Sequence, residues 1–372
     1  MKVTQPARLI SLLDLGLERL LALGTALDLP ERDLRNASRL FERMASGWAD
    51  ASLRSPARWP SDITDDHTPF EFSLAIDRGV PELRFLCEAQ GDVPSHSSNW
   101  EAAHQLNREL AKEFAIDLQR LARVEDLFAP TKDCPRFSLW HAVCLRAGEA
   151  PDFKVYLNPL AQGAQRASAS VEEAMTRLGF AEAWKRLPVL EAGDEYLYFS
   201  LDLAARPEAR LKLYCAHPGA TLDRVERAVS TAKGYVPGRA SRFCEAVTGS
   251  HGPYTGRPLL TCLSFVEGSA QPSAATLHVP VRAYAHSDAE ARARVLGAMQ
   301  GPSAELYATA LENFSRRSLA DRSGMQTYAS LRLGAVSDRV TVYLAPEAYA
   351  VPVRQSLRPS RPDLTRATCE SA

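Results

Sequence analysis

The 372-residue chain carries 44 Lys+Arg against 45 Asp+Glu, a formal net charge of -1, so no global positive field exists to gather nucleic acid. Its 45% hydrophobic and 24% charged residues are the proportions of an ordinary soluble globular protein. Glu18, Arg19 and Asp28 interrupt the apolar stretch from Leu17 to Leu29, no run approaches the roughly 20 residues that a membrane-spanning helix requires, and the Met1 end lacks the ordered regions of a signal peptide. Seven cysteines, an odd count without a Cys-x-x-Cys spacing, point to a reduced, cytoplasmic protein without a zinc site.

The elements follow in chain order. From Ala7 to Ala51 leucines recur at helical spacing, with Pro30 opening a second segment. Thr64-Asp65-Asp66-His67-Thr68-Pro69 is turn chemistry. Strands are then expected at Phe70–Ile76 and Leu83–Ala89, joined by a turn at Asp77-Arg78-Gly79, and helix from about Trp100 to Leu127. The pattern repeats with strands Phe137–Leu145 and Phe153–Asn158 and helix Ser170–Leu187. It repeats again with strands Tyr196–Leu203 and Arg210–Ala216 and helix from Leu222 to about Lys233, with a shorter helix near Cys244. Leu259–Val266 with Thr276–Tyr284, helix from Asp288 to about Phe314, and Thr327–Leu333 with Val340–Ala345 complete the series.

Five strand pairs at a period of very roughly 60–70 residues form an internal repeat, and short turns within each pair require antiparallel neighbours. The expected fold class is α+β: a closed antiparallel β-barrel of about ten strands, surrounded by an outer ring of helices. Residues 1–352 form this single domain and 353–372, rich in Arg, Pro and Ser, a loose tail. One parity of the strands is Phe, Leu, Val and Ile almost throughout. The other carries Glu71, Ser73, Arg84, Glu88, Lys154, Tyr156, Tyr198, Arg210, Lys212, Tyr214, His278, Tyr328, Tyr343 and their like. Helices with apolar stripes must cover the first face, so the polar face looks inward. About ten strands leave a lumen wide enough for ligands.

Arg84, Lys154, Arg210 and Lys212 come from three strands, with Arg282 and Arg332 as possible additions. Enclosed cations anticipate a multivalent anion, and diphosphate fits the forks of Arg and the point charges of Lys. No Walker-type Gly-rich loop is present, and Asp65-Asp66 is followed by His67-Thr68-Pro69, which puts Pro69 where the third Asp of an Asp-Asp-x-x-Asp magnesium motif would stand. Neutralisation by side chains without a required metal is therefore expected. The inward tyrosines suit a carbocation. Glu71 could accept a hydrogen bond from an aromatic N–H, or else pair with Arg84. His141 is the candidate proton acceptor, although simple alternation places it beside Leu139 and Val143 on the apolar parity unless a bulge turns it inward.

The motifs Asp65-Asp66-His67-Thr68-Pro69-Phe70-Glu71-Phe72-Ser73, Leu83-Arg84-Phe85, Lys154-Val155-Tyr156 and Arg210-Leu211-Lys212-Leu213-Tyr214 together resemble the dimethylallyltryptophan synthase family of aromatic prenyltransferases. Trp140-His141-Ala142-Val143 with Phe153-Lys154-Val155-Tyr156-Leu157-Asn158-Pro159 is similar to its bacterial, indole-prenylating branch. The resemblance implies metal-independent transfer of a dimethylallyl group from its diphosphate to tryptophan or a tryptophan-derived indole, with magnesium not essential. It implies Glu71 as the carboxylate for the indole N–H. Arg84, Lys154, Arg210 and Lys212 become the diphosphate cations, Tyr156, Tyr214, Tyr328 and Tyr343 the tyrosine shield, and His278 a further diphosphate contact. Where many fungal members offer a lysine to remove the ring proton, this chain places His141. The expected partners are these two small molecules, without nucleic acid or membrane, in a monomer or homodimer. A phenolic or naphthol acceptor, and a non-catalytic carrier of an anionic isoprenoid, are the alternative readings.

Overall fold

The structure, a computed structural model, describes residues 10–349 apart from 78–79, 133, 300 and 335–338. Most of the turn expected at Asp77-Arg78-Gly79, and the 353–372 tail, lie outside the described residues. Ten strands, β1 to β10, run Phe70–Asp77, Val80–Glu88, Leu139–Leu145, Asp152–Leu157, Glu195–Asp202, Leu211–His217, Leu259–Phe265, Ala274–Val279, Gln326–Gly334 and Arg339–Leu344. Each pairs antiparallel with its neighbour in sequence, and β1 pairs with β10 to close the barrel. The helical stretches fall between successive pairs, as the repeat requires.

Helices α1 (Leu12–Ala26) and α2 (Glu31–Met44) precede the barrel. Ser11 opens α1 with a capping box, its hydroxyl accepting from the Asp14 N–H while the Asp14 carboxylate receives the Ser11 N–H. Pro30 is the N-cap of α2, and its fixed φ suits entry into a helix. Apolar residues of these helices meet the outward faces of β1 and β2. Phe41 packs its ring within 5.3–5.9 Å of those of Phe70, Phe72 and Phe85, and Trp48 stacks on Phe70 at 5.1 Å. The main hydrophobic core is thus a shell between sheet and helices, which is why the opposite parity of every strand can be polar.

Two differences from simple alternation matter for the site. The pairing of β5 with β6 shifts between Tyr196 and Tyr198. Tyr196, opposite Cys215, therefore packs outward on Trp184, while Tyr198, opposite Tyr214, points into the lumen. A second shift between Val342 and Leu344 on β10 faces the adjacent β9 residues Thr327 and Tyr328, and both reach the interior. The expected strand through Tyr284 instead ends at Val279. Pro280 cannot donate to the ladder and leads into a 3-10 turn, Val281–Ala283. The single helix expected from Asp288 to Phe314 is broken into Asp288–Gly297 and Pro302–Phe314, where Gly301 takes a left-handed φ of 62° before Pro302.

The stretch after α2 lies directly against the end of β2. A Cβ on Gly47 would stand 2.1 Å from the Gln90 carbonyl oxygen, and next to it Trp48 Nε1 donates to the Glu88 carbonyl at 2.9 Å. Backbone meets backbone at Gly47, so neither side can rotate away. Gly47→Ala is expected to lower stability by about 1–3 kcal/mol through overpacking, read as a fall in the urea midpoint at unchanged slope.

Candidate active site

The lumen is organised along the barrel axis by register. At one end, Arg84 on β2, Lys154 on β4, Arg210 at the start of β6, Lys212 on β6, Arg332 on β9 and Arg339 on β10 line a single cavity. Lys154 is 5% exposed and its Nζ donates to Cys144 Sγ at 2.9 Å. Arg210 donates from Nε to Asp202 at 2.7 Å, and its backbone N–H reaches the same carboxylate at 3.0 Å. Lys212 is held well below the ordinary lysine pKa, first by burial and then by repulsion from Arg210 and Lys154.

Two carboxylates missing from the sequence-based set aim these cations. Glu82 bridges Arg84 and Arg146 and lies 3.9 Å from Arg339. Burial alone would raise its pKa, but Arg84, Lys154, Arg339 and Arg146 hold it far below the usual carboxylate range. Asp202 is opposed in the same way: burial pushes its pKa up, and Lys154, Arg210 and Lys212 pull it down further. Both were visible in principle, since Glu82 shares the parity of Arg84 and Asp202 that of Ser200. Arg339 was missed because it begins a strand whose apolar pattern starts at Val340.

Above the cations lies an aromatic belt. Tyr198, Tyr156, Tyr214, His278, Tyr343 and Tyr328 follow one another around the wall with ring centroids 5.6–6.3 Å apart, and the hydroxyls of Tyr156 and Tyr214 meet at 3.4 Å. Burial pushes the Tyr343 phenol up to about 12, so the belt is neutral. His278 is held down to about 3, by burial first and then by Lys212 and Arg84. It is therefore a neutral imidazole among the tyrosines, suited to donate or accept a hydrogen bond but not to carry charge.

The other end carries an apolar cluster and an ion-paired group. Leu197, Ala216 and Leu260 cluster beneath Tyr198 and Tyr328. Asp65, from the turn before β1, receives Arg282 Nη1 at 2.9 Å and also pairs with Arg257. Arg282 thus belongs to this ion-paired group rather than to the cations of the cavity. Glu71 stands between the two ends, 8% exposed. Register places Ser73, not Glu71, opposite Arg84, which frees Glu71 of the alternative ion pair. Its carboxylate accepts from Thr327 Oγ1 at 2.6 Å. Burial raises its pKa to about 7, opposed by that hydrogen bond.

His141 does not join them. β3 keeps register with both neighbours, so no bulge turns it inward. It is 2% exposed, with Nε2 at 3.0 Å from Asn107 Oδ1 on the helix His96–Glu113. Burial lowers its pKa to about 3, and Trp140 takes the lumen side in its place, 5.6 Å from Tyr198.

A closed barrel with a cationic end, a tyrosine belt and a carboxylate facing an apolar recess is the architecture of an aromatic prenyltransferase. The family model described as tryptophan dimethylallyltransferase matches residues 45–302, and the chain belongs to that family. It is similar to the structure of 6-dimethylallyltryptophan synthase from Micromonospora olivasterospora in complex with DMASPP and Trp, at 32% identity and a TM-score of 0.86 over 92% of this chain and 99% of that one. 5-Dimethylallyltryptophan synthase from Streptomyces coelicolor matches equally, at 32% identity and a TM-score of 0.86 over 92% and 99% of the two chains. AnaPT from Neosartorya fischeri, at 15% identity, a TM-score of 0.71 and coverage of 90% and 93%, shares the fold.

Glu71 makes a linked prediction. Its carboxyl binds a proton in the fold up to about pH 7, whereas its ordinary value is 4.5. The folded state therefore holds more protons between these values, and stability falls as pH rises through that window. Glu71→Gln should raise Tm at pH 8 and give no gain at pH 4, while abolishing indole alkylation and sparing slow hydrolysis of the donor.

Proposed function

We propose that this chain transfers a dimethylallyl group from dimethylallyl diphosphate to the indole ring of L-tryptophan. The observation that carries the reading is the axial order of the lumen: enclosed cations, then a neutral aromatic belt, then Glu71 facing an apolar recess. The relatives at 32% identity, one of them with DMASPP and Trp bound, support the same donor and acceptor.

In this reading Arg84, Lys154, Arg210 and Lys212 receive the departing diphosphate. Because Arg84 is fixed by Glu82 and Arg210 by Asp202 before the substrate arrives, little reorganisation of these two remains for the step itself. The C–O bond breaks as the electron pair goes to diphosphate, and Tyr156, Tyr214, Tyr328 and Tyr343 face the allyl cation with their π electrons and exclude water. Glu71, when ionised, accepts the indole N–H, which raises the electron density of the ring as it attacks. Thr327 fixes the carboxylate for this. His278 hydrogen-bonds a diphosphate oxygen. The side chains do the neutralising work of a metal ion, so the reaction proceeds without one.

The test is product analysis by mass spectrometry after incubation with dimethylallyl diphosphate and L-tryptophan in excess EDTA, with a phenol and a naphthol offered as competing acceptors. A singly prenylated tryptophan is expected, and a product on the phenol or naphthol alone would overturn the reading. Lys212→Ala is expected to lower kcat by about 10²–10³-fold, the range for removing one preorganised charge-stabilising donor, with an unchanged circular dichroism spectrum.

A further inference from the structure

The cavity that holds the cations also holds sulfur. Cys144 and Cys262 line it together with Arg84, Lys154, Arg210 and Lys212, whereas Cys87, Cys215 and Cys244 lie in the core between sheet and helices. The proposed function, on which this inference rests, forms an allyl cation in that cavity, and an allyl cation reacts with any electron pair within reach. In turnover the acceptor is tryptophan. When donor is bound without tryptophan, the acceptor is whatever nucleophile the wall presents.

Register separates the two thiols along the axis. Cys144 stands opposite Arg84, and its Sγ accepts from Lys154 Nζ at 2.9 Å. It is therefore at the level of the diphosphate, beside an ammonium group that repels a carbocation. Cys262 lies further on. Between β6 and β7, Lys212 pairs with Ser264 and Tyr214 pairs with Cys262, and side chains directly opposite one another have Cβ atoms about 4.5–5.5 Å apart. The Cys262 thiol is thus next to a tyrosine of the belt, one step along the lumen face from Lys212, where the hydrocarbon chain of a donor held by that lysine would lie. The same cavity wall includes His278, 7% exposed, whose Nε2 has no hydrogen-bond partner among the described residues. A polar atom left so in a buried wall marks a space that a ligand enters.

We propose that Cys262 is the residue on which the enzyme alkylates itself when dimethylallyl diphosphate is bound without tryptophan. The C–O bond of the donor breaks with its electron pair going to diphosphate, a sulfur lone pair of Cys262 forms the new C–S bond, and the thiol proton passes to the departing diphosphate. Burial pushes the Cys262 thiol up, against the pull of Lys212, Tyr214 and Ser264, so the sulfur meets the cation as a neutral thiol. A carbocation requires no thiolate, just as it requires no charged indole. Ser264 and Thr276 also line the cavity, but their oxygens are harder and less nucleophilic than the polarizable sulfur. The thioether has no leaving group comparable to diphosphate, so it persists and fills the belt beside Tyr214. Tryptophan is then a protector of the site as well as its acceptor.

The test incubates the wild-type protein with dimethylallyl diphosphate, with and without saturating L-tryptophan, and follows it by intact-mass measurement and peptide mapping. With donor alone, a single added dimethylallyl group per chain is expected, on the peptide that carries Cys262, with a progressive loss of tryptophan prenylation by the recovered protein. Tryptophan should suppress both, and Cys262→Ala should abolish the adduct. If that variant is not recovered folded, Cys262→Ser, which keeps the size and replaces sulfur by oxygen, is read in the same way. Prenylated tryptophan formed by a protein that gains no adduct at Cys262 overturns this inference alone. So does an adduct that tryptophan does not suppress, or one that falls as readily on Cys144, on a tyrosine or on the core thiols of Cys87, Cys215 and Cys244. A wild-type protein that forms no prenylated tryptophan overturns the proposed function and this inference with it.

Discussion

The structure depends on a sheet that buries its apolar face outward. Once Phe70, Phe72 and Phe85 are committed to Phe41 and Trp48 in the helical jacket, the alternate residues of the same strands have nowhere to point but inward. Ten strands enclose more space than side chains fill. The unfilled interior then concentrates charge: Arg84, Lys154, Arg210, Lys212, Arg332 and Arg339 line one cavity, with Glu82 and Asp202 beside them. Cations in such surroundings cost free energy that the empty protein recovers only in part through those carboxylates. The depressed pKa of Lys212 is the local record of that cost.

The two ends of the lumen are coupled through the belt between them. Tyr214 touches the hydroxyl of Tyr156 on one side and the ring of His278 on the other, and Tyr343 links His278 to Tyr328 beside the apolar recess. A cation formed at the cationic end would therefore meet the π faces of this belt. Asp65 joins Arg257 and Arg282 at the opposite end. Selectivity between alkylation and hydrolysis is thus a property of the whole tube.

Much of this was legible because period-two alternation is so regular here. The ten strands, their antiparallel order and the inward face of Arg84, Lys154, Lys212, Tyr156 and Tyr214 follow from parity alone. What parity concealed lies at its interruptions. Thr327 becomes the partner of Glu71 only because the β9 and β10 ladder shifts register, and no residue pattern marks that shift. His141 offered the right chemistry, but β3 is unbroken and turns it to Asn107. Arg282 was assigned to a strand that Pro280 ends, and the turn beyond delivers it to Asp65. Glu82 and Asp202 were on the right face, yet their role as counter-charges depends on which cations adjoin them, and that is fixed by register between strands distant in sequence.

The most direct measurement of the central claim is titration of inorganic diphosphate alone into the protein, followed by calorimetry and by the shift in Tm. An enclosed, preorganised, cation-rich cluster predicts one diphosphate per chain and a Tm that rises with its concentration, since a ligand that binds only the folded state stabilises it by mass action. The affinity should fall in the Lys154→Ala protein. No saturable binding, or binding indifferent to Lys154 and matched by any simple anion at equal ionic strength, would contradict the account.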